Sequence, residues 1–423
     1  MYFKTLSPSM KKYFILFLIF IPLLGISQEE KKYSIKLGGF VKSDFLYDTR
    51  QTVEVRYGHF MLYPKNEELD KDGNDINGKS TLNMLSVQTR LSLTATGPDV
   101  WGAKTTGYIE GEFFGSTNNN IYGFRLRHAF VKLQWPKTMF MAGQYWHPMF
   151  NVRCYPGTVS FNTGVPFQPF TRNPQIRFNQ QFGLFNVTAT ALWQLEFTSN
   201  GPIGSSYTYQ VNAAVPMFNL RFEFYSKNEG NGNEFLAGVS ANYKMILPRL
   251  QTDSSYKTSA TIGTFGFSGY YKMKLKPITL KLNGFVGSDA HDLVMLGGYA
   301  VKEITDPIRN FVKYTPTMTS AFWIDLHTNG KRLQYGIFAG YTKNHGPMEQ
   351  LMEEPESYIR GSDIDHVYRI SGRLIYNKNK FRLAPELEYT VAAYATEYGK
   401  PLEIVDSKEI ANFRVLIGFY YFF

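Results

Sequence analysis

Two arginines stand at alternate positions in one short stretch of this sequence, and two glutamates do so in another. Arg125 and Arg127 flank Leu126, and Glu110 and Glu112 flank Gly111. Side chains two residues apart point to the same side of an extended strand, so each pair would place two like charges on one face. Around a water-filled space, such charges select solutes by the sign of their charge. The alternative interpretation is that these side chains only neutralise one another across a solvated wall.

Residue types that could support catalysis or metal binding also occur together, but without a specific pattern. GSDAHD (287–292) and GSDIDH (361–366) each combine Ser, Asp and His. Catalytic triads are defined by geometry rather than adjacency, and polar loop tips often contain these residues. ELDKDGNDING (68–78) resembles a calcium loop, yet Lys79 stands where the bidentate Glu is required. We therefore predict no enzyme, no metal and no cofactor, and keep a hydrolase as the main alternative.

The charged positions belong to long segments in which apolar and polar residues alternate. Such segments include 33–48, 85–96, 185–193 and 333–341. These segments have about 9 to 16 residues, a length typical of strands that cross a membrane. Strands of soluble sheets have about 5 to 6 residues. The pattern therefore predicts strands with one face in lipid and the other in water.

The connections between these segments alternate between short and long. Short gaps such as 136–137, 182–184 and 276–277 are each followed by a long gap, such as 147–174 or 288–317. This alternation predicts an all-β fold, a transmembrane antiparallel β-barrel with short periplasmic turns and longer extracellular loops. Sixteen strands result if YTYQVNAAV (207–215) belongs to a loop, and eighteen is the second choice. In segment 122–135 the alternation of polar and apolar residues changes phase near His128, which predicts a bulge there.

Both ends of the chain indicate export to the bacterial outer membrane. Lys11 and Lys12 precede an apolar run (13–25), which predicts a signal peptide over 1–27 and a single barrel domain over 28–423. Either Met1 or Met10 starts the chain. The final segment FRVLIGFYYFF (413–423) alternates aromatic residues that suit an interfacial girdle. It also resembles, with Phe423 last, the strand by which the barrel-assembly machinery of bacteria recognises its substrates.

The polar phase of the predicted strands carries more basic than acidic side chains, which favours anions in a channel. Arg90, Arg125, Arg127 and Arg177 are predicted to form a basic ladder opposite Glu110 and Glu112. Loop 147–174 is rich in Pro and Phe and is predicted to fold inward and narrow the channel; the alternative is packing over the mouth or against a neighbouring subunit. The predicted pore-lining, anion-selecting residues are Arg90, Arg125, Arg127, Arg177, Arg221, Arg369, Arg373, Arg153, Arg172, Glu110 and Glu112.

Several stretches resemble porin-like outer-membrane proteins of Bacteroidetes-type bacteria, which are similar to the DcaP-type trimeric porins. They are LGGFVKSDFLYDTRQTVEVRYGHFMLYP, QTRLSLTATGPDVWGAKTTGYIEGEFFG, FRLRHAFVKLQW, GQYWHPMF and TRNPQIRF. The resemblance implies a homotrimer that passes small, mainly anionic solutes such as dicarboxylates by passive diffusion. Outer-membrane lipid is then a partner and nucleic acid is not. A barrel enzyme of the lipase or protease type and a barrel-anchored adhesin remain the alternatives.

Overall fold

A computed structural model describes residues 33–115, 118–162 and 164–423. Within these ranges most residues lie in β-strands, and the hydrophobic core lies inside the barrel that the strands form. The predicted signal peptide (1–27) lies outside the described residues. Among the residues described, no helix is long and apolar enough to cross a membrane.

Sixteen antiparallel strands form the barrel, as the spacing of the polar and apolar segments predicts. Each strand pairs with the next around the ring, and the first strand pairs with the last, Asp44 lying opposite Gly418. A closed ring leaves no unpaired strand edge in the membrane. The barrel strands are β1 (Ser34–Asp48), β5 (Arg90–Val100), β6 (Ala103–Phe113), β7 (Phe124–Gln134), β8 (Thr138–Trp146), β9 (Arg172–Phe182), β10 (Phe185–Leu192), β11 (Met217–Lys227), β12 (Glu234–Ile246), β13 (Ile262–Lys274), β14 (Ile278–Ser288), β16 (Phe311–Thr328), β17 (Leu333–Pro347), β19 (Ile364–Lys378), β20 (Phe381–Tyr398) and β21 (Ile404–Phe422).

The remaining elements lie in the long connections. They are β2 (Thr52–Val55), β3 (Phe60–Pro64), β4 (Thr81–Leu85), β15 (Gly297–Asp306), β18 (Ser357–Arg360), the helix α1 (Thr208–Ala213), and 3-10 turns at Ile76–Gly78, Asn118–Asn120 and His291–Leu293. The β2–β3 hairpin forms a separate sheet, β4 pairs with the end of β1, and β15 and β18 extend the sheet beyond the ring. Segment 207–215 therefore contains a helix and no barrel strand, in agreement with the sixteen-strand count.

The two faces of the barrel differ as the alternation predicts. Val239, Phe267 and Ile337 point outward and are more than half exposed, at 59%, 54% and 60%. Inward-facing Asp325 and Glu386 are completely buried in the interior. The predicted bulge is present, because Glu110 pairs with His128 while Gly111 pairs with Leu126, which leaves Arg127 as the extra residue.

Candidate functional site

Residues 147–171 leave the barrel wall and return to it at the same place. Trp146 and Arg172 lie opposite each other on β8 and β9, and the His147 N–H donates to the Thr171 carbonyl oxygen at 3.0 Å. Most aromatic side chains of the segment, including Phe161, Phe167 and Phe170, are buried, whereas Tyr155 is 40% exposed. Most apolar residues of this connection are therefore covered by the rest of the protein.

The same segment contacts wall strands on the far side of the ring. The Gly157 N–H donates to Asp325 Oδ2 on β16 at 3.1 Å. The Val159 and Ser160 N–H groups donate to Glu386 Oε2 on β20 at 2.6 and 2.7 Å. Segment 147–171 therefore extends across the interior, and two wall carboxylates bind its main chain.

Two of the predicted pore-lining residues contact segment 147–171 or a carboxylate that binds it, and they do not line open water. Arg369 Nη1 donates to the Val165 carbonyl oxygen at 2.9 Å. Arg373 Nη1 forms an ion pair with Asp325 Oδ2 at 2.8 Å. Both arginines are buried. Both guanidiniums thus hold segment 147–171 in place.

The β2–β3 hairpin also enters the barrel, which the alternation of the sequence does not predict. Phe60 packs against Phe161 and Phe170, with ring centroids 5.5 and 5.4 Å apart. Arg369 Nη2 donates to the Leu62 carbonyl oxygen at 2.9 Å. The apolar run FMLYP (60–64) within a long polar loop was the available sign of this burial. Together, the hairpin and segment 147–171 fill the side of the interior next to β1 and β19–β21.

Two adjoining cavities remain beneath segment 147–171, on the side of strands β5–β11. The first, of about 530 Å³, is bounded by side chains that include Arg90, Glu110 and Arg127. The second, of about 320 Å³, is bounded by side chains that include Arg177 and Arg221. Both are lined by Phe130, Tyr145, Phe150 and Val152. The shared lining makes them neighbours along one stretch of the inner wall.

Glu110 and Glu112 lie between the basic residues of the neighbouring strands. Arg127, at the bulge, binds Glu110 through Nε and Glu112 through Nη1, each at 2.6 Å. Arg125 Nη2 and Arg90 Nη2 bind Glu112 at 2.7 and 3.1 Å. Three of the four arginines of the predicted ladder are therefore paired with its two glutamates, which cancels much of their field at the first cavity.

Glu196 extends this ion cluster, and the predicted set of pore residues lacks it because it lies in a loop without strand periodicity. It forms ion pairs with Arg172 and with Arg125, the latter at 2.6 Å. Burial alone would raise the pKa of Glu196, but the Arg172 and Arg125 guanidiniums hold it well below its usual range. Arg56, at the tip of the β2–β3 hairpin, lies 3.9 Å from the same carboxylate. Arg172 is fully buried here and lines neither cavity.

Arg177 and Arg221 have a different environment from the rest of the predicted ladder. Arg177 Nη2 donates to the Trp146 carbonyl oxygen at 2.9 Å, and Arg221 Nη1 to the Pro148 carbonyl oxygen at 3.3 Å. The Arg177 guanidinium also lies 5.5 Å from the centre of the Tyr145 ring. Their hydrogen bonds thus go to main-chain oxygens, which carry no net charge. The positive charge of both side chains remains available to a solute in the second cavity.

Arg153 completes the second cavity from segment 147–171. Its side chain is 49% exposed and pairs with Glu223 at 3.0 Å. The cavity lining contains four basic side chains, Lys132, Arg153, Arg177 and Arg221, against the single acidic Glu223. A small space with this composition favours anions.

The Ser–Asp–His motif at 287–292 forms an ion cluster. Asp289 and Asp292 bind Lys244 Nζ at 2.8 and 2.6 Å. Ser288 Oγ accepts from the Phe265 N–H at 3.3 Å, whereas His291 Nδ1 lies 3.0 Å from the Thr198 carbonyl oxygen. Ser288 and His291 thus have different partners. The ion pairs with Lys244 attach the long connection after β14 to strand β12.

The stability of this cluster is expected to depend on pH. Burial raises the pKa of the Asp289 carboxyl from an ordinary 3.8 to about 6, and Asp292 adds to the effect while Lys244 opposes it. Because the folded-state pKa lies above the unfolded one, this contribution to stability is complete below about pH 4 and is lost as the pH rises through about 6. The expected loss is about 3 kcal/mol. In detergent gels, the temperature at which the folded band shifts to the unfolded band should be lower above pH 6 than below pH 4.

Asp289→Asn should flatten this pH dependence, because it removes the titrating carboxyl. Asp253→Asn is the matched control, since Asp253 is an exposed aspartate of a neighbouring long loop. An equal pH dependence in Asp289→Asn and in the unaltered protein would contradict the assignment.

No protein-family model and no curated protein match the chain significantly. Solved structures do match. The outer-membrane channel DcaP of Acinetobacter baumannii is 17% identical, with 94% of this chain and 99% of that chain covered and a TM-score of 0.67. An anion-selective porin from Comamonas acidovorans is 12% identical, with 92% and 100% covered and a TM-score of 0.54. The trimer form of OmpT, an outer-membrane protein of Vibrio cholerae, is 11% identical, with 92% and 99% covered and a TM-score of 0.52. At these identities the likeness concerns the fold, and this chain has the sixteen-stranded fold of outer-membrane porins.

Proposed function

We propose that the protein is an outer-membrane porin through which small hydrophilic solutes, with a preference for anions, diffuse passively. The observation that carries this proposal is the second cavity, a water-accessible space inside a closed barrel with four basic side chains and one acidic side chain in its lining. A sixteen-stranded barrel is wide enough to leave an aqueous channel. The porin from Comamonas acidovorans, which has a similar fold, is anion-selective, and this is consistent with the proposed preference.

Loop 147–174 is proposed to form the constriction. Its main chain crosses the interior to Asp325 and Glu386, so a solute would have to pass through the space between it and strands β5–β11. Arg153 would meet the solute directly, because its side chain is half exposed. Arg172 would act only through its field, because it is buried and paired with Glu196.

The other parts of the proposal concern export and assembly. Residues 1–27 would direct the chain to export, the Phe423 strand would engage the barrel-assembly machinery, and the barrel would lie in outer-membrane lipid. A homotrimer is proposed, for which the trimer form of the Vibrio cholerae protein is a precedent in the same fold. The narrower resemblance to proteins of Bacteroidetes-type bacteria stays a prediction.

The purified protein in planar lipid bilayers tests the central proposal. We expect discrete conductance steps and, in a potassium chloride gradient, a reversal potential with the sign of chloride preference, because basic side chains outnumber acidic ones at the second cavity. A cation-selective reversal potential would contradict the charge argument. The absence of conductance would contradict the porin function itself.

We also propose that the barrel has no hydrolase activity. The same preparation in liposomes should show swelling in small solutes without cleaving lipid or peptide substrates. Cleavage that is lost when Ser288 or Ser362, the serines of the two Ser–Asp–His motifs, is replaced by alanine would favour the enzyme alternative.

A further inference from the structure

Five basic residues lie on, or directly beside, three neighbouring short turns at one edge of the barrel rim. They are Lys276, Lys331, Arg332, Lys378 and Lys380, called here the basic arc. We propose that the basic arc binds the headgroups of anionic phospholipids in the inner leaflet of the outer membrane. This inference rests on the membrane location in the proposed function, but it concerns the outer rim and not the channel.

The arc is continuous because its turns are neighbours in the ring. The turns join β13 to β14, β16 to β17 and β19 to β20, and β14 pairs with β16 as β17 pairs with β19. All five basic side chains are exposed. The three turns, 275–277, 329–332 and 379–380, contain no acidic residue. The other turns of the same rim, 101–102, 135–137, 183–184 and 228–233, contain a single basic residue, Lys137, so basic residues are concentrated at these three turns.

Two of the five residues lie on the outer, lipid-facing side of the wall. Arg332 Nη2 donates to the Tyr376 hydroxyl at 3.1 Å, and its guanidinium lies 5.4 Å from the centre of that ring. Tyr376 shares the outward phase of β19 with Ile370, which is 58% exposed. Lys378 follows on the same phase. These charges therefore project along the outside of the barrel.

Outward-facing aromatic side chains mark the membrane boundary just beside the arc. Tyr335, Phe381 and Tyr421 are exposed on the outer face next to these turns. Aromatic residues at such positions lie at the headgroup level of the bilayer. Lysine and arginine side chains immediately beyond them reach the phosphate layer. The arc therefore lies at the height of the phospholipid phosphates.

The position of the arc favours lipid over a soluble acidic protein. A soluble protein would approach from the aqueous side and meet the turn tips, whereas Arg332 and Lys378 point along the wall toward the bilayer. Basic residues near a membrane attract anionic headgroups by about 1 kcal/mol each, equivalent to roughly fivefold in affinity. The attraction weakens as salt is added.

Lipid selectivity can be measured by electron spin resonance with spin-labelled phosphatidylglycerol and phosphatidylcholine in vesicles of phosphatidylcholine that contain the full barrel. We expect the unaltered protein to hold the anionic lipid at its surface about fivefold more strongly than the neutral lipid, with a loss of preference at high salt. The variant Lys276→Gln, Lys331→Gln, Lys378→Gln, Lys380→Gln keeps only Arg332 of the basic arc and should show a much weaker preference for the anionic lipid.

The matched control replaces four exposed lysines of the long loops, Lys65, Lys71, Lys257 and Lys400, by glutamine. It should keep the preference for phosphatidylglycerol. Equal binding of both lipids by the unaltered protein would overturn the proposal and point to a soluble acidic partner for the arc. A loss of preference in the control as well would overturn it, because total charge and not the arc would then be responsible.

Conductance in phosphatidylcholine bilayers separates this inference from the proposed function. The four-lysine variant should conduct with unchanged anion preference, because the arc lies outside the channel. If the variant alters the reversal potential without altering lipid selectivity, the arc directs solutes to the mouth and the lipid proposal fails. A barrel that does not conduct still reports its lipid selectivity, so the two ideas fail independently.

Discussion

Replacing residues 149–169 with a short Gly–Ser turn is expected to raise the single-channel conductance severalfold. The replacement is geometrically feasible because Trp146 and Arg172 already pair across β8 and β9. It removes the main chain that crosses the interior to Asp325 and Glu386. Water and ions would then occupy the space now filled by buried aromatic side chains such as Phe161 and Phe167. The measurement is the conductance step in planar bilayers.

A matched control removes the turn 253–256 from a different long loop. These residues are exposed, so their removal should leave the conductance unchanged. Folding of both variants is checked by the heat-dependent band shift in detergent gels. A folded 149–169 replacement with the conductance of the unaltered protein would show that the segment does not narrow the channel.

The barrel could be predicted because its pattern is local and repeated. Each strand must present apolar side chains to lipid and polar side chains to the interior, so residues such as Val239 and Ser240 reveal the pleat without knowledge of their partners. The alternation of short turns and long loops along the chain then indicated the number of strands. The bulge at Arg127 was visible for the same reason, as a break in phase between Arg125 and Ala129.

The interior could be predicted only in part, because its contacts join residues distant in sequence. The abundance of Phe and Pro in 147–174 indicated burial, but not that Asp325 and Glu386 would bind its main chain. The entry of Phe60 from the first long loop depends on the position of Phe161. Loop residues such as Glu196 have no periodicity that marks them as inward. Phase alone therefore identified which side chains face inward, but not which of them remain unpaired.

This distinction decides which arginines should control selectivity. Arg90, Arg125 and Arg127 share the same inward phase as Arg177, yet they bind Glu110 and Glu112. The field of a charge is largely cancelled when the opposite charge lies within about 3 Å. Arg177 and Arg221 bind main-chain oxygens instead. The sign of the charge at the second cavity therefore depends on these two residues most.

Exchanging both residues, as Arg177→Glu with Arg221→Glu, is expected to reverse the channel from anion to cation preference. The lining of the second cavity would then contain two basic and three acidic side chains in place of four and one. The reversal potential in a potassium chloride gradient should change sign. Arg177→Gln with Arg221→Gln should give an intermediate value, because it removes the positive charges without adding negative ones.

Two further variants separate charge from support of the loop. Arg177→Lys with Arg221→Lys keeps both charges but lacks the guanidinium fork that reaches the Trp146 and Pro148 carbonyl oxygens. If the charge is what matters, this variant retains anion preference even where its conductance changes. Arg249→Gln is the control for the loss of an arginine charge away from the cavity, because Arg249 binds Asp253 in a long loop outside the barrel wall. A glutamate variant that folds and stays anion-selective would show that solutes do not pass through the second cavity.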